Sequence, residues 1–186
     1  MFGEQQKGMF NGEYRFKGKH AERVVRLCSV FDTTSNAVLF KRFVDIYMNA
    51  PLVGFLYGRR AELDNTRNVA GQVEERKVFS EQVINSGKDL QFNFWLIMLL
   101  DSDYEPDEEK RIDKAFKKMG QDPKDEERFD SYVRGGIDVL YEKLMDGDTD
   151  PGDYVSRLYD FLDEINEKFN SKIDRDEILR KLASNQ

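Results

Sequence analysis

The chain carries one cysteine, Cys28, and one histidine, His20, in 186 residues. A single thiol excludes an intrachain disulfide, and the pair excludes a zinc site built from several Cys or His ligands. Nucleophilic catalysis of the Cys-His or Ser-His-Asp kind would have to run through His20. That residue sits in the basic segment KGKHAER (17–23) and reads as a surface residue at a helix start. Long apolar runs are missing too. The longest, LVGFLYG (52–58) and FWLIMLL (94–100), fall far short of the roughly 20 residues that cross a bilayer. The N-terminal MFGEQQKGMFNGEYRF lacks the continuous apolar stretch of a secretion signal, so the expectation is a cytoplasmic protein with no membrane partner. No glycine-rich phosphate loop or dinucleotide fingerprint occurs, and no cofactor is expected. Proline-rich linkers, internal repeats and low-complexity segments are also absent.

What is present is charge and aromatic bulk. Apolar residues make up 39% and charged residues 35%, a soluble composition with enough apolar mass to fold. Fourteen Phe and eight Tyr supply the large faces of a packed core. The length suits one domain: a loose or hairpin-like segment over 1–18, then a single helical domain over 19–186. Charge is segregated. Residues 1–60 hold ten Lys/Arg against five Asp/Glu, a net of +5, and residues 94–186 hold fifteen against twenty-five, a net of −10. Such segregation predicts two surfaces with different partners, or one end of the molecule docking on the other.

Periodicity predicts an all-α fold, a compact bundle of about seven or eight helices joined by short, proline-initiated turns. Asn11-Gly12 followed by alternating Tyr14 and Phe16 predicts a short N-terminal hairpin. Val24, Leu27 and Phe31 recur at helical spacing from Lys19 onward. Asp32 to Asn36 offers N-caps for a second helix carrying Leu39, Phe40, Phe43, Ile46 and Tyr47 and ending before Pro51. Residues 51–65 fit a buried loop, a strand or a short helix equally well. Val73, Val78, Phe79 and Val83 suggest a further helix closed by Ser86-Gly87, and 89–101 should be the central, most buried one. Glu105-Pro106, Asp122-Pro123 and Asp150-Pro151 each place proline where a first helical residue would stand, with acids following in the first turn.

Five features are candidates for function. DGDTDPGDYVSR (146–157) begins like a calcium loop, with Asp146, Asp148 and Asp150 at positions 1, 3 and 5. It then fails: Pro151 replaces the turn glycine and Arg157 the bidentate glutamate, so it reads as a turn between helices. DSDYEPDEE (101–109) could gather carboxylates around a magnesium ion, but helix capping accounts for most of it. Arg59 and Arg60 follow an apolar stretch and a glycine. With Lys17, Lys19, Arg23, Arg26, Lys41 and Arg42 they form a candidate nucleic-acid or phosphate contact set, against the rival reading that these cations pair with the acidic half. Gly135-Gly136 interrupts a strong helical pattern, and Gly136 shares a stripe with Phe129, Val133, Leu140 and Leu144. This predicts close approach of a neighbouring helix, with 92–100 and its Trp95 as the expected partner. Last, Val155, Leu158, Leu162, Ile165 and Phe169, then Ile178 and Leu182 on a final helix, make an amphipathic face, expected to pack on its own domain or else to serve a dimer or partner.

The functional expectation is a non-enzymatic interaction or accessory protein acting through a helical face and a charge-segregated surface. Its partner would be another protein, with a homo-oligomer as one form of that. The alternative is a nucleic-acid-associated protein, using either the basic N-terminal third or an acidic C-terminal half that mimics DNA. No catalytic residue and no metal ligand set is visible.

Overall fold

The computed structural model describes residues 9–145 and 151–169. The chain is mostly helical, with a small strand component that makes it other than purely all-α. Contacts divide it into two compact units, 1–146 and 147–186.

The first unit runs β1 (Tyr14–Lys17), α1 (Lys19–Leu27), β2 (Val30–Asp32), β3 (Ala37–Val38), α2 (Phe43–Leu56), β4 (Glu75–Val78), α3 (Ser80–Asn85), α4 (Gly87–Leu100), α5 (Glu108–Ile112), a π-helical turn (Asp113–Lys117) and α6 (Pro123–Leu144). The second unit contains α7 (Pro151–Phe169).

The centre of the first unit is α6. Asp122 caps it by accepting from the Lys124 amide at 2.9 Å, and Pro123 opens it, as the sequence predicts. Phe129, Val133, Ile137, Leu140 and Leu144 are all buried along it. Ile137 adds to the stripe read from the sequence, and each such side chain contributes about 1.5–3 kcal/mol by leaving water. Its main partner is α2, which buries Val44, Ile46, Tyr47, Ala50 and Val53. The 89–101 segment does form a helix, α4, but it is not the most buried one: Leu90, Phe94, Ile97 and Met98 face inward while Phe92 and Leu100 are exposed.

Four expectations change here. The N-terminal strand does not turn back on itself. Instead β1 pairs antiparallel with β4, Tyr14 opposite Val78 and Lys17 opposite Glu75. The local hairpin is the one between β2 and β3, closed by Asp32, which accepts from the Thr34 amide at 2.8 Å and so serves a turn rather than a helix start. Helix α2 therefore begins later, at Phe43, and it runs through Pro51 to Leu56. Packing against α6 holds that helix across the proline, outweighing a local penalty of about 3 kcal/mol. Glu105-Pro106 likewise does not open α5: Asp107 is its cap, accepting from the Lys110 amide at 3.1 Å.

The α2–α6 crossing is close enough to exclude side chains. A Cβ on Gly136 would overlap the Ala50 carbonyl oxygen and lie 2.9 Å from the Gly54 amide nitrogen. A Cβ on Gly54 would overlap the Tyr132 carbonyl. Gly135 lies in the same way against the Arg59 carbonyl. The role expected for Gly136 thus holds, but the helix it admits is α2, not the 92–100 helix. Trp95 instead lies at the side of α4 against Phe116, with ring centroids 5.3 Å apart.

Candidate functional site

The eight candidate cations are mostly engaged. Lys17 Nζ lies 3.5 Å from Glu75 and Lys19 Nζ 3.2 Å from Asp138. Arg23 pairs with the same Asp138 carboxylate, and the Arg26 guanidinium donates to the Tyr141 hydroxyl at 2.6 Å. Arg23 and Arg26 also lie over the Tyr141 ring, 5.0 and 5.7 Å from its centroid. Arg42 pairs with Asp45 at 2.6 Å and Arg59 with Glu142 at 2.9 Å. Among the described residues, the side chains of Lys41 and Arg60 alone in this set make no ion pair or hydrogen bond. Four of the set, Lys19, Arg23, Arg26 and Arg59, thus meet Asp138, Tyr141 and Glu142 on one helix, α6.

Asp138 is the focus of that seam. It is 3% exposed, and His20 Nε2 approaches its Oδ1 to 3.0 Å. His20 is 1% exposed, so it is not the surface residue its basic neighbours suggest. Helix α1 turns the face His20, Ala21, Val24, Leu27 inward, and the histidine comes with it. Burial pushes the Asp138 carboxyl up, but the close approach of His20, the Arg23 charge and the hydrogen bond from Lys19 outweigh it and hold the group down at about 2.

The acidic cluster after α4 is likewise structural. Asp101 is buried and accepts from Arg128 at 2.6 and 2.9 Å and from the Tyr132 hydroxyl at 2.9 Å. Beside it, Asp125 is 1% exposed and accepts from Tyr104 and Lys114, each at 2.6 Å. Lys114 reaches it from the π-helical turn, where the Lys118 amide bonds to the Asp113 carbonyl five residues back at 2.8 Å. The polar cleft at this point, about 510 Å³, is lined by Lys110, Lys114 and Lys118 and by Glu105, Asp122 and Asp125, so its charges balance. No group of three or more His, Cys, Asp or Glu able to hold a metal ion occurs among the described residues. The first part of the calcium-like segment, residues 146–150 with its three aspartates at positions 1, 3 and 5, lies outside the described residues, as do Ile178 and Leu182.

A second titrating group on α6 is Asp130. Burial pushes its carboxyl up to about 7 against the nearby Arg134 charge, with Glu127 and Glu126 adding to the rise. A carboxyl raised in the folded state binds its proton more tightly there than in the unfolded chain. Stability therefore falls as pH rises from the ordinary value of 3.8 through about 7. Thermal melts from pH 4 to 8 should show this decline, and Asp130→Asn should flatten it and raise the melting temperature at pH 8.

Two surfaces remain without an evident structural role. The first is on α7. At about 100° per residue, Phe161, Tyr154, Ile165, Leu158, Leu162, Val155 and Tyr159 follow one another around an arc of about 160°, broken by Asn166 alone. One edge of the arc is buried, with Tyr154 at 7% and Phe161 at 6% exposed. The other is open, with Val155 at 46%, Leu162 at 52% and Tyr159 at 67%. The expectation that Val155, Leu158 and Leu162 pack on their own domain is thereby corrected: the apolar arc is wider than the strip that is covered. Past Tyr159 the next positions round the helix are Gly152, Asp163, Ser156, Glu167 and Asp160, so the open edge borders an acidic rim.

The second surface is a groove of about 330 Å³ in the first unit, lined by Cys28, Lys41, Arg42, Phe43, Lys77, Phe79 and Gln82. Phe79 is 64% exposed and stands just past β4. Burial pushes the Cys28 thiol up to about 11, so it lines the groove as a small neutral group. Sequence reasoning named Lys41 and Arg42 but not their aromatic neighbours, because β4 brings Lys77 and Phe79 from some 36 residues away. Comparison with protein-family models, with curated proteins and with solved structures finds no match for this chain.

Proposed function

We propose that the protein is a non-enzymatic interaction protein whose docking surface is the open apolar edge of α7. The observation that supports this reading best is the exposure of Val155, Leu158, Tyr159 and Leu162 at spacings of three and four along one helix. An amphipathic helix that leaves half its apolar arc in water suits insertion into a groove of a partner, with side chains at i, i+3, i+4 and i+7 as anchors. Open edge and acidic rim together ask for a partner groove that is apolar inside and basic at its border. Catalysis finds less support: Asp101, Asp125 and Asp138 are consumed in ion pairs with Arg128, Lys114, Lys19 and Arg23. The nucleic-acid alternative is weakened by the ion pairing of five of its eight cations, which takes away charge that phosphate contacts would use.

The test is a Leu158→Glu/Leu162→Glu variant. Both side chains are exposed, so the fold should melt within a few degrees of wild type. A protein retained by the immobilised wild-type chain should be lost with the variant, because two charges at anchor positions cost a docked helix several kcal/mol. Equal retention by both proteins would remove the α7 edge from consideration.

A further inference from the structure

Given the reading of α7 as a docking helix, the geometry points to a second copy of this chain as its partner: we propose that the open edge of α7 in one molecule seats in the Phe43–Phe79 groove of another. Two surfaces carried by the same sequence are complementary in shape and charge. The groove has aromatic walls, and its charged lining residues are all cations: Lys41, Arg42 and Lys77. Of these, Lys41 has no ion-pair partner among the described residues, and Lys77 has only a 3.7 Å approach to Glu13. The open edge of α7 presents Leu162, Val155 and Tyr159 and is bordered by Asp163, Glu167 and Asp160. The two cations of the described part of α7, Arg157 and Lys168, fall at the opposite flank of the arc, beside Tyr154 and Phe161. Docking therefore brings acids, and no cation, to the lysines of the groove. A volume of about 330 Å³ is at the lower end of what takes a small apolar ligand, and fits one or two anchor side chains.

The same pairing draws on the part of the sign segregation along the chain, +5 over residues 1–60 and −10 over 94–186, that Asp138 and Glu142 do not already meet within the molecule. A molecule with net charge −7 is repelled by its copies unless opposite patches meet, so association should be oriented and salt-sensitive. Each contact joins different patches on the two molecules and is heterologous in kind.

Sedimentation velocity of the full-length chain over a concentration series tests this. Wild type should associate as concentration rises, and less so at high salt. Lys41→Glu/Lys77→Glu, at exposed positions, should lower the association constant at least tenfold, and so should Asp160→Lys/Asp163→Lys. Mixing those two variants should restore association, since one supplies an acidic groove and the other a basic helix rim. A chain that stays monomeric at every concentration overturns the proposal, as does association unaffected by the groove substitutions, or a charge-swapped mixture no better than either variant alone. None of these results touches the Leu158→Glu/Leu162→Glu outcome, so the self-docking claim and the docking role of α7 fail separately.

Discussion

Gly136→Ala should destabilise the protein by about 2–3 kcal/mol and Gly136→Leu by more, even though glycine inside a helix is ordinarily worth about 1 kcal/mol less than alanine. The reason is what the new Cβ meets. On one side is the carbonyl oxygen of Ala50 and on the other the amide nitrogen of Gly54, both backbone atoms of α2. A flexible side chain could swing away, whereas a helix backbone has to be displaced whole. Displacing α2 from α6 opens the layer formed by Val44, Ala50, Phe129 and Val133. For a chain of this length about 2–4 °C of melting temperature accompanies each kcal/mol, so a fall of about 5–10 °C is expected for the alanine variant. Gly54→Ala should behave alike, through the Tyr132 carbonyl, and the double variant should cost less than the sum because one displacement relieves both overlaps. Gly87→Ala is the control, since nothing lies within 4 Å of a Cβ there. An unchanged melting temperature for Gly136→Ala would refute the close crossing.

The second large effect is expected at Asp138. Asparagine there keeps the shape and removes the charge that Lys19, His20 and Arg23 converge on. Removing one partner of a buried pair costs about 3–5 kcal/mol in general. Lys19 keeps 47% of its side-chain surface in water and Arg23 25%, so the lower end, about 3 kcal/mol, is expected. The pH dependence identifies the cause. The Asp138 carboxyl titrates at about 2 when folded and at the ordinary 3.8 when unfolded, so its contribution is present above pH 4 and is lost as pH falls toward 2. Wild type and Asp138→Asn should thus differ most near pH 6 and converge in acid. A stability gap that stays constant down to pH 2.5 would mean that the loss is one of packing.

Much of the helical frame was legible because its signals are local. The stripe through Phe129, Val133, Gly136, Leu140 and Leu144 named α6, and Asp122-Pro123 placed its start. What escaped depends on residues far apart in sequence. Tyr14 and Phe16 alternate as a strand, but nothing nearby says that the partner is Glu75–Val78. Pro51 reads as a helix end until α6 is there to hold α2 across it. His20 reads as exposed because its neighbours are basic, and only Asp138, 118 positions on, explains why it is buried. The cations of the N-terminal third were found in the sequence, but their acids and tyrosine on α6 were not assigned to them. The face of α7 was read as amphipathic from its spacing; its division into a covered and an open edge depends on Tyr154 and Phe161, which the original stripe did not include.

Docking of the open edge of α7 on a partner can be read out by site-specific photocrosslinking. A photoreactive residue at Tyr159, 67% exposed within the open edge, is compared with one at Asp153, exposed on the polar side of the same helix. Docking predicts a discrete adduct from position 159, absent from position 153 and lost when Leu158→Glu/Leu162→Glu is introduced. Adducts of equal yield and variety from both positions, or none from 159, would contradict it.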